Sequence, residues 1–226
     1  MTLHGVLLDV DGTLILSNDA HAQSWIEAFA AHGYTVSFDQ IRPLMGMGGD
    51  QIMPRFFPEL NHETGTGKAI SDDRKQLVLE KFVPQIQPAN GSRELVQKIQ
   101  DAGLKVVIAS SASEQELESL LEVAQVKDLI QIATTSSEAA ASKPEPNIVE
   151  AALQKIDLPP QATVMLGDTP YDVEAANKAG VDVIAFRCGG FSDEDLHGAI
   201  AIYDDPADLI QRYDESPLSQ FTVIAS

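Results

Sequence analysis

Short apolar runs alternate with helix-like segments over most of the chain, and this alternation restricts the fold more than any other feature of the sequence. The predicted strands are the apolar runs, which cover residues 3–9, 104–109, 129–133, 162–166 and 181–186, with 199–203 as an edge strand. The predicted helices carry apolar residues at helical spacing, and they cover residues 92–102, 113–124, 145–156, 170–179 and 206–213. Such alternation is typical of a mostly parallel sheet covered on both faces, so we expect an α/β fold.

The segment after the first predicted strand departs from the alternation because it is helical throughout. Helical pieces are predicted from Asn18 or Asp19 to about residue 32, then over 37–45, 50–57 and 72–82, with a polar, glycine-rich loop over 61–67. Pro84 and Pro88 then form a hinge. We therefore predict two domains, a core made of residues 1–16 and 88–226 and an inserted helical cap made of residues 17–87.

Composition restricts the partners and the compartment. The chain has 226 residues and a formal net charge of −19, which disfavours nucleic acids and anionic membranes as partners. No apolar run of membrane-spanning length and no secretory leader is evident. The single cysteine, Cys188, excludes an internal disulfide and is expected to be a structural thiol. We expect a cytoplasmic protein that is a monomer or a small homo-oligomer.

Polar residues follow several of the predicted strands at the point where each strand ends. They are Asp9 and Asp11 after the first strand, Ser110 and Ser111 after the second, and Asp168 after the fourth, followed by Asp172; Lys143 opens a predicted helix. Ligands of open α/β sheets bind outside the carboxyl ends of the strands. Each residue also has a plain structural alternative as a turn former, helix cap or solvated side chain. Because these residues coincide at strand ends, a ligand-binding site is favoured over the structural alternatives. Carboxylate oxygens are suitable ligands for Mg²⁺.

These residues together resemble a known family signature. The run from Asp9 to Leu14, followed by Ser110, Lys143 and Gly167-Asp168 with Asp172, resembles the four motifs of the haloacid dehalogenase (HAD) superfamily. The helical insert resembles the C1-type cap of the phosphoglycolate phosphatase and β-phosphoglucomutase-like branch. The resemblance implies a Rossmann-like parallel sheet core, the HAD fold, with an inserted α-helical C1 cap domain.

The resemblance also implies a role for each motif residue. Asp9 would be the nucleophile that forms an aspartyl-phosphate, and Asp11 would be the general acid and base. Asp9, Asp168 and the backbone carbonyl of Asp11 would hold Mg²⁺. The remaining residues would assist: Ser110, Ser111 and Lys143 would hold phosphoryl oxygens, Asp172 would orient metal-bound water, and Thr13 would support the loop after the nucleophile.

Two activities remain within this branch. An acid at position 11 favours phosphoester chemistry over attack on carbon–halogen or carbon–phosphorus bonds. The spacing of His21 resembles that of the β-phosphoglucomutases, although a hinge or core role fits it equally. The loop Gly46-Met47-Gly48-Gly49 lacks the arginine with which the mutases grip a second phosphate, and Ala112 and Ser113 replace their serine–lysine pair. We therefore favour a phosphatase for a small phosphorylated metabolite, with a sugar phosphomutase as the alternative.

The cap is expected to determine the substrate. The proposed specificity residues are His21, Gly48, Gly49, Arg55, Arg74 and Lys75, with a solvated helix face as the alternative for Arg74 and Lys75. A third alternative is a binding protein that keeps the fold without activity. The complete set of acidic motif residues is evidence against it.

Overall fold

A parallel sheet of six strands forms the centre of the molecule. The computed structural model describes residues 2–220. The strands are β1 (Gly5–Leu8), β2 (Lys105–Ala109), β3 (Ala133–Thr134), β4 (Thr163–Gly167), β5 (Asp182–Phe186) and β6 (Ala201–Tyr203). They lie in the order β3-β2-β1-β4-β5-β6, and every neighbouring pair is parallel. The predicted α/β class and parallel sheet are therefore confirmed.

Helices cover both faces of this sheet. They are α5 (Ser92–Asp101), α6 (Glu114–Val123), α7 (Asn147–Ile156), α8 (Pro170–Lys178), α9 (Pro206–Gln211) and α10 (Pro217–Gln220). Successive strand residues point to opposite faces, so Leu7 joins one hydrophobic cluster with α7 and α8, while Leu8 joins another with α5 and α6. Both faces are buried, which explains why the central strands are almost entirely apolar.

The segment between β1 and α5 builds a hydrophobic cluster of its own. Its helices are α1 (Asn18–Ala31), α2 (Phe38–Ile41), α3 (Gly49–Phe56) and α4 (Gly65–Leu77), which continues into a π-helical turn over Val78–Phe82. Trp25 stacks on Phe29 with ring centroids 5.5 Å apart, and Met53 and Ile70 are fully buried beside them. None of the described helices is long and apolar enough to cross a membrane.

Several predicted boundaries are wrong by two residues or more. Helix α4 begins at Gly65, inside the predicted loop 61–67, because Gly67 lets the helix backbone approach the backbone of Asn61 more closely than a side chain would allow. Strand β3 has two residues instead of the predicted 129–133, since the chain at Leu129 is still in a turn bonded to Val126. Helix α7 begins at Asn147 and not at 145.

Candidate active site

The predicted motif residues meet at the carboxyl edge of the sheet. Asp9 follows β1 directly, and its backbone N–H donates to the carbonyl of Leu166 on β4 over 3.0 Å. Ser110 follows β2, and Asp168 follows β4. Since β1 lies between β2 and β4, the three strand ends are adjacent.

Three buried carboxylates form the centre of this edge. Oxygen atoms of Asp9, Asp168 and Asp172 lie within 4.8 Å of one another. Burial raises the pKa of Asp9 to about 7, and the nearby charges of Asp172 and Asp11 act in the same direction against Lys143. Burial and the charges of Asp172 and Asp9 also raise the pKa of Asp168 well above its ordinary value. A hard divalent cation that prefers oxygen ligands would fit this group and relieve its mutual repulsion.

Lys143 supplies positive charge inside the acidic group. Its ammonium Nζ lies 2.6 Å from Asp9 Oδ1 and 2.7 Å from Asp172 Oδ1, and its side chain is 1% exposed. Burial alone would lower the pKa of Lys143, but the two carboxylates raise it, so the ammonium stays charged. The prediction that Lys143 opens a helix is wrong. Lys143 lies in the loop before α7, where Pro144 and Pro146 delay the helix until Asn147.

Asp168 is held by two side chains from the segment after β1. The Thr13 hydroxyl donates to Asp168 Oδ1 over 3.0 Å, and the Asn18 amide donates to Asp168 Oδ2 over 2.7 Å. The same Asn18 amide donates to the carbonyl of Gly189 over 2.9 Å. At Asn18 the sequence pattern predicts only the start of a helix, so this contact was missed. Its position near the start of the helix that follows the aspartate motif was the available signal.

Asp172 caps helix α8 with one carboxylate oxygen and contacts Lys143 in the site with the other. Its Oδ2 accepts from the backbone N–H and the hydroxyl of Thr169, over 3.0 and 2.7 Å, while its Oδ1 faces Lys143. Thr169 and Asp172 thereby form a reciprocal cap at the start of α8. The structural alternative in which Asp168 caps this helix is therefore wrong, because Thr169 occupies the cap position.

Asp11 has a different environment from Asp9. Its Oδ1 accepts from the hydroxyl of Ser17 over 2.6 Å and lies 2.6 Å from Nε2 of His21. Burial acts to raise the pKa of Asp11, but His21, Ser17 and Arg74 outweigh it and lower the pKa to about 2. Two carboxylates that are two residues apart are thus shifted in opposite directions, a pattern typical of paired catalytic acids.

Arg74 and Lys75 have different surroundings, although they are neighbours in the chain. Arg74 reaches inward, with Nη2 2.7 Å from His21 Nδ1 and Nη1 2.5 Å from Glu116 Oε1. Its guanidinium also lies over the ring of Trp25, 5.5 Å from the centroid. Two cavities border the site, and Lys75 lines only the outer, larger one.

Both cavities are lined by residues of the strand ends and by residues of the helical segment. The inner one, of about 80 Å³, is lined by Asp9, Asp11 and His21. The outer one has a volume of about 460 Å³, and both are lined by Trp25, Gly48, Gly49, Arg74 and Ser111. These shared residues place the cavities side by side. A substrate that occupied both would have its reacting end at the two aspartates.

The remaining predicted residues divide between the cavities and the surface. The Ser111 hydroxyl is buried and has no hydrogen-bond partner among the described residues. Ser110 Oγ accepts from the backbone N–H of Ala112 over 3.1 Å, and Ser110 lines neither cavity. Arg55 lies on the exposed surface of α3 and also lines neither. Cys188 donates to the carbonyl of Gly12, and burial raises the pKa of its thiol to about 12.

Comparison with known proteins gives consistent matches over most of the chain. A family model described as haloacid dehalogenase-like hydrolase matches residues 6–186. Protein CbbY from Cereibacter sphaeroides is 27% identical over 219 residues, which is 92% of this chain and 94% of that protein. The crystal structure of a hydrolase from Pseudomonas syringae superposes with a TM-score of 0.87 at 26% identity, covering 94% of this chain and 98% of the other. A structure of CbbY from Rhodobacter sphaeroides in complex with phosphate superposes with a TM-score of 0.74 at 26% identity, covering 92% and 96%.

Proposed function

The chain belongs to the haloacid dehalogenase-like hydrolase family, and from this premise we propose that it is a Mg²⁺-dependent phosphatase acting through an aspartyl-phosphate on Asp9. The proposed substrate is a small phosphorylated metabolite. The observation that carries the proposal is that Asp9 and Asp11 line one cavity while their pKa values are shifted in opposite directions. The similar CbbY from Rhodobacter sphaeroides, whose structure contains phosphate, supports phosphate as the group that is bound.

The domain division follows the hydrophobic clusters. We propose that residues 1–16 and 88–226 form the core domain and that residues 17–87 form a cap over the site. Helices α1 to α4 share one hydrophobic cluster, whereas the sheet contributes to two others, which supports the division. The outer cavity lies between these two parts, so the cap helices would select the substrate.

The proposed reaction has two steps. In the first, a carboxylate oxygen of Asp9 attacks phosphorus, the ester bond to the leaving oxygen breaks, and Asp11 gives that oxygen a proton. In the second, Asp11 takes a proton from water, whose oxygen attacks phosphorus and releases Asp9 and inorganic phosphate. The pKa of about 2 keeps Asp11 ionised in the free protein, as the second step requires. A negatively charged phosphate beside Asp11 would favour the protonated form that the first step requires.

The chain's own residues would hold the phosphoryl group and the cation. Lys143 would attract phosphoryl oxygens to Asp9, and the Ser110 and Ser111 hydroxyls would donate to them. Asp9, Asp168 and the backbone carbonyl of Asp11 would hold Mg²⁺, with Asp172 and Thr13 orienting this set. When bound, Mg²⁺ neutralises charge that develops on the phosphoryl oxygens in the transition state.

A phosphate-release assay tests the proposal. We expect the purified protein with Mg²⁺ to release phosphate from at least one member of a panel of sugar, polyol and carboxylic acid phosphates. EDTA should abolish the release. Asp9→Asn should also abolish it, whereas the matched control Asp39→Asn, on the exposed surface of α2, should not. Full turnover by Asp9→Asn would contradict the covalent mechanism, and no release from any substrate would contradict the phosphatase.

A sugar phosphomutase is the second candidate function, and the contact between His21 and Asp11 is the observation that favours it. The same assay separates the two functions if hexose 1-phosphates are included and the products are identified. Conversion to the 6-phosphate faster than phosphate release would establish the mutase.

A further inference from the structure

One half-buried carboxylate beside the two cavities has no part in the proposed reaction. Asp50 lies in the first turn of α3 and lines the outer cavity. Its Oδ2 accepts from the backbone N–H of Ser142 and from the side-chain amide of Gln51, each over 3.1 Å. Its Oδ1 has no hydrogen-bond or ion-pair partner among the described residues. One oxygen of Asp50 therefore fixes the side chain, and the other is free to bind a ligand.

The free oxygen of Asp50 lies beside Gly48. A Cβ atom at Gly48 would be 2.6 Å from Asp50 Oδ1 and still closer to the hydroxyl of Ser142. Gly48 lines the inner cavity together with Asp9 and Asp11, and it also lines the outer cavity. Asp50 Oδ1 is therefore at the junction of the two cavities, where a leaving group would pass from the reacting phosphate into the outer cavity. Glycine at position 48 leaves this junction open to a ligand.

The charges around the outer cavity do not favour a second anion on the substrate. Besides His62, the charged side chains that line it are those of Arg74, Lys75, Asp50, Glu63 and Glu116. Glu116 neutralises Arg74 at 2.5 Å, so two carboxylates remain against the single ammonium of Lys75. A leaving group with a carboxylate or a second phosphate near the junction would meet the uncompensated charge of Asp50. A hydroxyl at the same place would instead donate to Asp50 Oδ1.

Hydroxyl groups are the commonest polar groups of the outer cavity. They belong to Ser71, Ser111, Ser113, Ser136, Ser137 and Ser142. Those of Ser113 and Ser137 are bonded to Glu116 and Thr135, which leaves the others to a ligand. Because a hydroxyl both donates and accepts, this lining suits a ligand that itself carries several hydroxyl groups.

From these contacts we propose that Asp50 is a specificity-determining residue, which selects the monophosphate ester of a neutral, polyhydroxylated alcohol. Its Oδ1 accepts a hydrogen bond from a hydroxyl close to the ester oxygen. Its charge excludes leaving groups that bring a carboxylate or a second phosphate to the junction. This inference rests on the proposed function, since it concerns the leaving group of the proposed hydrolysis. Asp50 takes no part in bond breaking, so its effect belongs to KM more than to kcat.

The test uses Asp50→Asn in the full chain, because the new amide can take only one orientation. Its oxygen must stay in the place of Oδ2, where the backbone N–H of Ser142 and the amide of Gln51 both donate. Its NH₂ group then replaces Oδ1, so the variant removes the charge and turns a free acceptor into a donor. Glu63→Gln is the matched control, since it removes the same charge from the same cavity at a side chain that is 76% exposed.

Matched pairs of phosphate esters isolate the charge of the leaving group. Each pair has one carbon chain with either a hydroxymethyl group or a carboxylate at the far end: glycerol 3-phosphate with 3-phosphoglycerate, erythritol 4-phosphate with 4-phosphoerythronate, and glucitol 6-phosphate with 6-phosphogluconate. We expect the wild type with Mg²⁺ to have the higher kcat/KM for the polyol ester. Asp50→Asn should reduce this preference roughly tenfold to a hundredfold, mainly through KM, as one charge–charge contact in a partly solvated cavity would. Glu63→Gln should reduce it less than about threefold, because its charge is screened by solvent.

An unchanged preference in Asp50→Asn, or an equal change in Glu63→Gln, would overturn the inference and leave the phosphatase standing. A wild type that prefers the carboxylate esters would do the same, and equal losses for both members of a pair would show a merely structural role. If Asp50→Asn does not fold, Asp50→Ser also removes the charge and carries the same comparison.

A binding measurement decides the inference even if the wild type releases no phosphate from any pair and the proposed phosphatase fails. Calorimetry with Mg²⁺ then compares the two members of each pair on Asp9→Asn, with and without Asp50→Asn. Tighter binding of the polyol phosphate, lost when Asp50→Asn is added, would support the role of Asp50. Equal binding of both members, or no binding of either, would overturn it.

Discussion

Replacing the proposed nucleophile should stabilise the metal-free protein, by an amount that depends on pH. Asp9 has a pKa of about 7 in the folded chain and an ordinary value of 3.8, mainly because it is buried. Each pKa unit corresponds to about 1.4 kcal/mol, so the ionised Asp9 carboxylate costs the folded state about 4 kcal/mol. Asparagine at this position cannot ionise, and Lys143 keeps its contact with Asp172.

The sign of the pH dependence follows from the order in which the two states lose the proton. Below about pH 4, Asp9 is protonated in both the folded and the unfolded chain, and the variant and the wild type should be equally stable. Between pH 4 and 7 only the unfolded chain releases the proton, so the wild type loses stability as the pH rises. Above pH 7 the full difference of about 4 kcal/mol applies, which is about 10 °C in Tm for a chain of this size.

Urea unfolding followed by circular dichroism between pH 4 and 8, in EDTA, measures this difference for Asp9→Asn. Asp39→Asn, on the exposed surface of α2, is the matched control for the substitution itself. Mg²⁺ should then raise the stability of the wild type, by about 2.7 kcal/mol at a hundredfold excess over Kd, and leave Asp9→Asn nearly unchanged. A variant that is less stable than the wild type at pH 8, or a difference that is constant with pH, would refute the reasoning.

Three further predictions concern the support of the acidic group. Lys143→Met leaves two buried carboxylates without their cation and should cost about 3–5 kcal/mol in urea unfolding at pH 8; an unchanged midpoint would show that the ion pair has no net value. Asn18→Ala removes a donor from Asp168 and should weaken Mg²⁺ binding about 10–100-fold, measured by calorimetry; an unchanged Kd would contradict a positioning role. Gly189→Ala would place a methyl group against the Asp168 carboxylate, so both Tm and Mg²⁺ affinity should fall, and a gain in either would be inconsistent with the contact.

Much of the fold follows from local sequence patterns. A buried parallel strand must be apolar on both faces, which makes β1, β2, β4 and β5 recognisable without any contact information. The edge strand β3 was poorly predicted because only two of its residues pair with β2, so packing hardly restricts its sequence. The start of α4 was missed because glycine usually indicates a loop. Here Gly67 lies inside the helix and allows its backbone to approach the backbone of Asn61 closely.

The candidate site likewise contains residues that the sequence predicts and contacts that it does not indicate. Asp9, Asp11, Ser110 and Asp168 were predicted from the sequence because each follows a strand, and the parallel order of the strands brings those ends together. The sequence predicts a helix start at Lys143, but the residue lies in a loop, and this loop has no periodic pattern that would distinguish the two. Its contact with Asp9 spans 134 residues, and no local feature indicates it.

The alternation of strands and helices in the sequence thus determined the parallel sheet and the edge at which its acidic residues lie. The sheet and this edge both depend on properties of residues that are neighbours in the chain. The tertiary structure alone decided what surrounds each acid. Burial with Asp172 raises the pKa of Asp9, while His21 and Ser17 lower the pKa of Asp11. It also decided that Arg74 meets Glu116 and His21, because desolvation and hydrogen bonding depend on residues that are distant in the chain and adjacent only after folding.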